Sequence, residues 1–272
     1  MDRTIGFIGG GQMCEAIFSG LLREGKATPD QIIIADTSAG RLKDLAERYG
    51  VQTALNDDSG MGALSAAQCD VLFLSVKPQA ARTVLEKLAP ALTDQLIISI
   101  MGGVTIAFLE QFCKGPVIRV MPNTPMFVGC GAAGLVRGTH AGKEELHTAV
   151  DLFSAVGKTY VMDEKMLDAL TAISGCGPAF VYQFIEALAD GGVEKGLPRA
   201  VAQELAAQTV MGAGKMVLES GKHPGQLKDS VCSPGGSTIA GVHTLEQRAF
   251  RGGVMDAVDA AYEKMIEVGK KA

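Results

Sequence analysis

The sequence predicts an α/β half followed by an all-helical half, and three observations predict it. Short apolar runs of β type alternate with helical patterns up to about residue 162. Gly, Pro and polar residues punctuate the ends of those runs. After Asp163 the β pattern stops and long helical stretches take over. The division expected is residues 1–163 and residues 164–272.

Residues 4–8 form the first strand, Gly9, Gly10 and Gly11 a turn, and Gln12 and Met13 open a helix that continues to Leu22. Strand, glycine turn and helix in that order is the context in which G-x-G-x-x-G/A signals a dinucleotide-binding, Rossmann-type fold. Gly9 makes the tight turn, Gly11 lets a pyrophosphate approach the backbone, and the helix start offers free amides and partial positive charge. Cys14 stands where the third Gly or Ala is usual and is small enough for close helix–strand packing.

Residues 31–35 give a second strand and residues 41–49 a helix with Leu42, Leu45, Ala46 and Tyr49 on one face. Asp36 ends that strand at the distance where an acidic residue takes ribose hydroxyls, which favours NAD; the same residue also reads as the start of a turn. Thr37, Ser38 and Arg41 follow and suit a 2′-phosphate, so both coenzymes stay open. Further strands are expected over 71–76, 96–100 and 117–121, ending at Lys77-Pro78, Met101-Gly102-Gly103 and Pro122-Asn123-Thr124-Pro125. Each of these ends also reads as an ordinary turn; together they suggest one ligand edge. Strands over 128–136 and 159–162 flank a helix over 142–156.

In the second half, residues 164–194 are helical but broken by Ser174-Gly175-Cys176-Gly177-Pro178. The helix over 199–219 carries Val201, Leu205, Ala206, Val210, Met211, Met216 and Val217 on more than one face, a pattern of burial from several sides. About 110 residues of helix hardly achieve that alone, so an interlocked homodimer is expected, packing on the first half being the rival. A turn at 221–225 and a short helix lead to Pro234-Gly235-Gly236, after which Ser237 or Thr238 is expected to cap a helix starting near Ile239. Read as an anion cup, that helix start suits a small carboxylate; read plainly, it is a capped turn. A last helix runs over 249–269 with Val254, Ala257, Val258, Ala261, Met265 and Val268 on its inner side. His223 and His243 read as structural, with no acidic orienter near either in sequence.

Composition bounds the function classes. The 272 residues are 47% apolar and 20% charged, which makes the chain globular. Net charge is 25 minus 30, or −5, with no basic run, so nucleic acid and acidic membrane surfaces are not expected partners. Six cysteines show no C-x-x-C pair and no histidine at metal-ligand spacing. They read as buried free thiols, no metal site is expected, and with no signal peptide or membrane span the expected location is the cytoplasm.

The runs IGFIGGGQM, LSVKPQ, RVMPNTP, AISGCGPAF, HPGQLKD and VCSPGGSTIAG, in this order and across the whole chain, closely resemble the pyrroline-5-carboxylate reductase family. The resemblance implies reduction of the ring imine of pyrroline-5-carboxylate to L-proline by NADPH, with NADH possible as donor, on a Rossmann-type domain and a helical dimerisation domain. It implies a homodimer, assembled in many members into a ring of dimers. Position by position it puts cofactor contacts at Ile8, Gly9, Gly10, Gly11, Gln12, Met13, Thr37, Asn56, Ser75, Val76, Lys77, Pro78, Ile100, Met101 and Gly102. Substrate contacts fall at Glu164, Ser174, Gly236, Ser237 and Thr238, and catalytic roles at Thr238 and Thr171. Ser230 stands where members often carry Asn.

The chemistry agrees with the residues. A protonated cyclic imine already carries the charge that hydride quenches, so an anion clamp and alignment matter more than a strong acid. Two other classes are weighed. A 3-hydroxyacid dehydrogenase on the same plan needs a catalytic lysine, for which Lys215 is the nearest candidate. A non-catalytic nucleotide-binding protein has no need of the S-P-G-G-S-T cup.

Overall fold

The computed structural model describes residues 3–57 and 60–269. In chain order its elements are β1 (Ile5–Ile8), α1 (Gln12–Arg23), β2 (Ile32–Asp36), α2 (Ala39–Tyr49), β3 (Gln52–Leu55), α3 (Met61–Ala66), β4 (Val71–Leu74) and α4 (Ala81–Leu88). There follow β5 (Leu96–Ser99), α5 (Ile106–Leu109), β6 (Val117–Met121), β7 (Gly131–Arg137), α6 (Lys143–Ser154), β8 (Gly157–Val161) and α7 (Leu167–Ser174). The rest is helical: α8 (Gly177–Glu194), α9 (Arg199–Ser220), α10 (Pro224–Ser230), α11 (Ser237–Gln247) and α12 (Phe250–Gly269).

The chain divides into two compact units, one of Met1–Gly175 with Tyr262–Ala272, the other Cys176–Ala261. In the first, the described strands form one sheet in the order β3-β2-β1-β4-β5-β6-β7-β8. Pairing is parallel from β3 through β6, antiparallel between β6 and β7, and parallel again between β7 and β8. Alternation along each strand sends neighbouring side chains to opposite faces. Phe7, Phe73 and Ile98 join one core with α1, α2 and α6; Ile8, Leu72, Leu74 and Ile97 join another with α3, α4 and α5. Both faces are therefore covered, which is what a continuous apolar strand such as Val71–Leu74 requires. Phe7 stacks on Phe73 at 4.5 Å and Phe18 meets Tyr49 edge-on at 5.0 Å.

Local chemistry sets the helix ends. Ser38 Oγ accepts the Arg41 amide at the start of α2, and left-handed Gly50 closes it. Glu145 accepts the Gly142 amide at 2.8 Å and so caps α6.

Several expectations need correction. The strand expected over 128–136 is β7, Gly131–Arg137, because Pro125 starts a 3₁₀ turn over Thr124–Val128. The helix after Gly236 starts at Ser237, with Gly236 itself as N-cap and no side-chain cap bond, so neither Ser237 nor Thr238 caps it. Of the six cysteines only Cys14 and Cys113 are buried; Cys130 is exposed and the other three are half-buried, all of them free. β3, α3, α4 and α5 were not expected. The amphipathic run of α4, with Leu85 and Leu88 inward, was the readable signal among them.

In the second unit α8 and α9 meet through a small cluster of Ala189, Ala202 and Ala206, with Ile185 and Val193 against it. Phe184 and Phe250 lie 5.8 Å apart. Within this chain only Ala202 and Ala206 of α9 are buried, so the several-sided burial expected of this helix is not supplied by the chain itself. Leu205 is 51% exposed and Met211 60%. On α12, Val254 is exposed, Ala257, Val258, Ala261 and Met265 are half-buried, and the Val268 side chain lies outside the described residues.

Candidate functional site

The carboxyl ends of β1, β2, β3, β4 and β5 share one edge of the sheet because those strands are parallel. That edge gathers the residues expected to hold a cofactor: Ile8 to Met13 after β1, Thr37 after β2 and Asn56 after β3. Ser75, Val76, Lys77 and Pro78 follow β4, and Ile100, Met101 and Gly102 follow β5. The chain reverses its winding at β1, which pairs with β2 on one side and β4 on the other, the switch point where such sheets bind ligands.

The glycine turn is held on every side. Gly9 has φ +101°, and a Cβ there would sit 2.7 Å from the Ser75 carbonyl oxygen, so only glycine fits. Ser75 Oγ donates to this stretch, 2.9 Å from Ile8 O and 2.7 Å from Gly9 O. The Gly10 amide donates to Asp36 Oδ2 at 2.6 Å, and Arg41 Nε donates to Gly10 O at 2.7 Å. A Cβ on Gly11 would meet nothing within 4 Å, which leaves open space over the uncapped start of α1. A pyrophosphate fits that space, as the two glycine roles require.

Asp36 accepts a second amide, Ser38, at 2.8 Å through Oδ1, in keeping with its reading as a turn residue. Arg41 is also held by Glu15 and, at 3.2 Å, by Asp44. Glu15 is 7% exposed and further accepts from Arg48 at 2.7 Å and Tyr49 Oη at 2.8 Å. Burial would raise the Glu15 pKa, but hydrogen bonds from Arg48, Arg41 and Tyr49 outweigh it and hold the carboxyl at about 2. Burial pushes the Cys14 thiol well up, so it is no thiolate.

Thr37 and Asn56 line a cavity of about 610 Å³ that Lys87 also borders, a cation with no motif to announce it. Asn56 Oδ1 accepts the Ala63 amide at 3.1 Å, tying the loop after β3 to α3.

The residues expected to meet substrate fall in two groups. Glu164, Thr171 and Ser174 belong to the sheet-bearing unit. Glu164 Oε1 accepts from Arg119 at 2.7 Å and from the Ile106 amide at 2.8 Å, and it borders a groove of about 1460 Å³ with Arg137, Tyr160 and Met166. Arg119 is buried in β6. Thr171 Oγ1 and Ser174 Oγ donate back along α7 to Leu167 O and Leu170 O, at 2.6 and 2.9 Å. Gly236, Ser237 and Thr238 belong to the helical unit, where Gly235 takes φ +69° and the Ser237 and Thr238 side chains are exposed.

Asn123, part of a strand end that reads in sequence as either ligand edge or ordinary turn, holds a specific place in the structure. It is 7% exposed; its amide nitrogen donates to Ser174 O at 2.9 Å and its oxygen accepts the Ala132 amide at 2.8 Å. The signal available was an Asn held between two prolines at a strand end. Of the histidines, His223 caps α10 by accepting the Gly225 amide at 3.1 Å, a structural role. Lys215 is exposed and faces Glu219 at 3.7 Å, an ordinary surface pair that gives a 3-hydroxyacid mechanism no support. No group of three or more His, Cys, Asp or Glu suited to a metal occurs among the described residues.

Residues 164–268 match the family described as pyrroline-5-carboxylate reductase dimerisation, and residues 4–103 match the family described as NADP oxidoreductase coenzyme F420-dependent. A pyrroline-5-carboxylate reductase of Synechocystis sp. is 43% identical over 272 residues, covering 100% of both chains. That of Pisum sativum is 45% identical, over 97% of this chain and 96% of its own. The crystal structure of Plasmodium falciparum pyrroline carboxylate reductase with NADP bound superposes with a TM-score of 0.88 at 35% identity, covering 98% of each chain. An uncapped glycine turn at the switch point, a trailing helical half and identity of this level from end to end agree: the chain belongs to the pyrroline-5-carboxylate reductase family.

Proposed function

We propose that the protein reduces the ring imine of pyrroline-5-carboxylate to L-proline, with NADPH as donor and NADH as the alternative. The observation that carries this reading is the uncapped start of α1 behind Gly11, at the carboxyl edge of a parallel sheet, in a chain similar along its whole length to reductases of that name. In this reading residues 1–163 bind the coenzyme and residues 164–272 bind substrate and pair two chains.

The bound coenzyme supplies the hydride that adds to the imine carbon. The chain's own residues do the rest. Amides at Gly11, Gln12 and Met13 grip the pyrophosphate, Thr37 and Asn56 border the adenosine, and the segments Ser75 to Pro78 and Ile100 to Gly102 border the nicotinamide. Amides at the start of α11, with the Ser237 and Thr238 hydroxyls, hold the substrate carboxylate, and Gly236 lets it come close. Thr238 orients the ring and relays a proton from water to its nitrogen, its hydroxyl taking one proton as it gives another. Glu164, Thr171 and Ser174 are the remaining proposed substrate contacts; the back-bonded hydroxyls of α7 keep lone pairs free to accept.

We also infer a homodimer, a ring of such dimers and a cytoplasmic setting. Supporting this are the exposed apolar faces of α8 and α9 and six unpaired cysteines. Among the described residues no helix is long and apolar enough to cross a membrane.

The test is to mix protein, NADPH and pyrroline-5-carboxylate and follow nicotinamide absorbance and proline together. Absorbance loss matched by proline is expected; silence with this substrate and turnover of a 3-hydroxyacid would replace the reading. Thr238→Ala should raise substrate KM about tenfold or more, the loss of about one charge-assisted contact or more. Unchanged kinetics would remove Thr238 from the site.

A further inference from the structure

Resting on the nucleotide-binding reading above, we propose that Arg41 is a positioning residue that sets the glycine turn, not a ligand of a coenzyme phosphate, and that buried Glu15 holds it to that task. By position Arg41 is the residue one would choose for a 2′-phosphate, since it follows Thr37 and Ser38 in the first turn of α2. Its guanidinium is already committed. Nε donates to Gly10 O at 2.7 Å, one terminal nitrogen to Glu15 and the other to Asp44 at 3.2 Å. Two carboxylates, both shared with Arg48, thus balance the two guanidiniums before any ligand arrives. Swinging it toward a phosphate would strip a partner from Glu15, whose side chain is 9% exposed.

The turn gains what a glycine run cannot supply from its own side chains. A peptide unit is planar and trans, so a carbonyl fixed in one direction aims the next amide in the opposite one. Arg41 fixes the Gly10 carbonyl and thereby aims the Gly11 amide. Ser75 fixes the Gly9 carbonyl and Asp36 the Gly10 amide. Three separate segments, after β4, at the end of β2 and in α2, therefore preset two consecutive peptide planes. Without them the glycines would have to be ordered at the moment of binding, at a cost in affinity for any ligand the turn grips. The pyrophosphate is common to both coenzymes. The prediction is therefore that Arg41 and Glu15 govern affinity for NADPH and NADH alike and leave their ratio untouched.

Dissociation constants for both coenzymes, from nicotinamide fluorescence at fixed ionic strength, test this with the wild type, Arg41→Met, Arg41→Lys and Glu15→Gln, each checked by thermal unfolding without coenzyme. Loss of the positioning contact should raise both constants by about three- to tenfold in every variant, with their ratio held to about twofold. Lysine keeps the charge but not the fork that spans Gly10 O and Glu15, so Arg41→Lys should behave like Arg41→Met. Coupling of the pair should make the double variant Glu15→Gln/Arg41→Met little worse than either single one. A selective loss of NADPH in Arg41→Met, largely restored in Arg41→Lys, would make Arg41 a phosphate ligand and overturn the inference. Unchanged constants for both coenzymes would overturn it too. A wild type that binds neither coenzyme would instead defeat the nucleotide-binding reading itself.

Discussion

Glu15 brings a nearly buried carboxylate against two guanidiniums and a phenol, and such a carboxyl must be charged for the contacts to hold. Its folded pKa of about 2 lies below its ordinary value of 4.5. A depressed carboxyl pKa adds stability above the unfolded value and loses it as pH falls through the folded one. The window here is pH 4.5 down to about 2, and the full contribution is about 3 kcal/mol. Urea unfolding of the wild type and Glu15→Gln should therefore differ most near pH 7, with the gap cut by about half near pH 3. A gap that is constant over that range would mean the carboxylate is not the source. The sequence made the roles of Gly9 and Gly11 legible, because glycine turns follow a local rule. It hid the Glu15–Arg41 pair, because partners 26 residues apart meet only after β2 is laid beside β1. Arg41 read locally looks like a phosphate ligand; read in space it is anchored.

At the scale of elements, Asn123 joins three of them. One amide group leaves the end of β6, holds the last carbonyl of α7 and pairs with the Ala132 amide in β7. Asn123→Ala leaves Ser174 O and the Ala132 amide without those partners in a largely buried place, which should cost about 2–3 kcal/mol of unfolding free energy. Asn123→Asp keeps the acceptor for Ala132 but turns an oxygen toward Ser174 O, and should be no better. Chemical denaturation measures both, and a cost below about 0.5 kcal/mol for Asn123→Ala would show that water serves equally well. Periodicity revealed β1, β2, β4, β5 and β6 because their residues are mostly apolar. It missed β3, whose Gln52–Leu55 is half-exposed at the sheet edge, and it placed β7 early because Val128 resembles a strand residue while the preceding Pro125 enforces a 3₁₀ turn. Ser237 and Thr238 look like caps in sequence, yet Gly236 takes the extended cap position and leaves both residues exposed.

For the whole molecule, the second unit has more apolar surface than one chain covers. Val201, Leu205, Met211, Met216 and Leu218 on α9 are all at least 44% exposed, while only Ala202 and Ala206 are buried. Large apolar side chains exposed in this number on one helix mark a surface that another molecule covers. The helical pattern gave that imbalance away in sequence, since apolar residues around a helix without one polar face need neighbours on several sides. It could not say which neighbours, because no periodicity distinguishes packing on the same chain from packing on a copy. A twofold partner satisfies the requirement by matching the surface to itself. Leu205 lies in the first half of α9 and is exposed, so Leu205→Glu would bring a charge into the joined surface, with the copy's charge added by symmetry. Sedimentation velocity should show the wild type as a dimer or a larger multiple at micromolar concentration and the variant shifted toward monomer, by at least about tenfold in dissociation constant. A wild type that sediments as a monomer, or a variant that associates as tightly, would mean that α9 is not where the chains join.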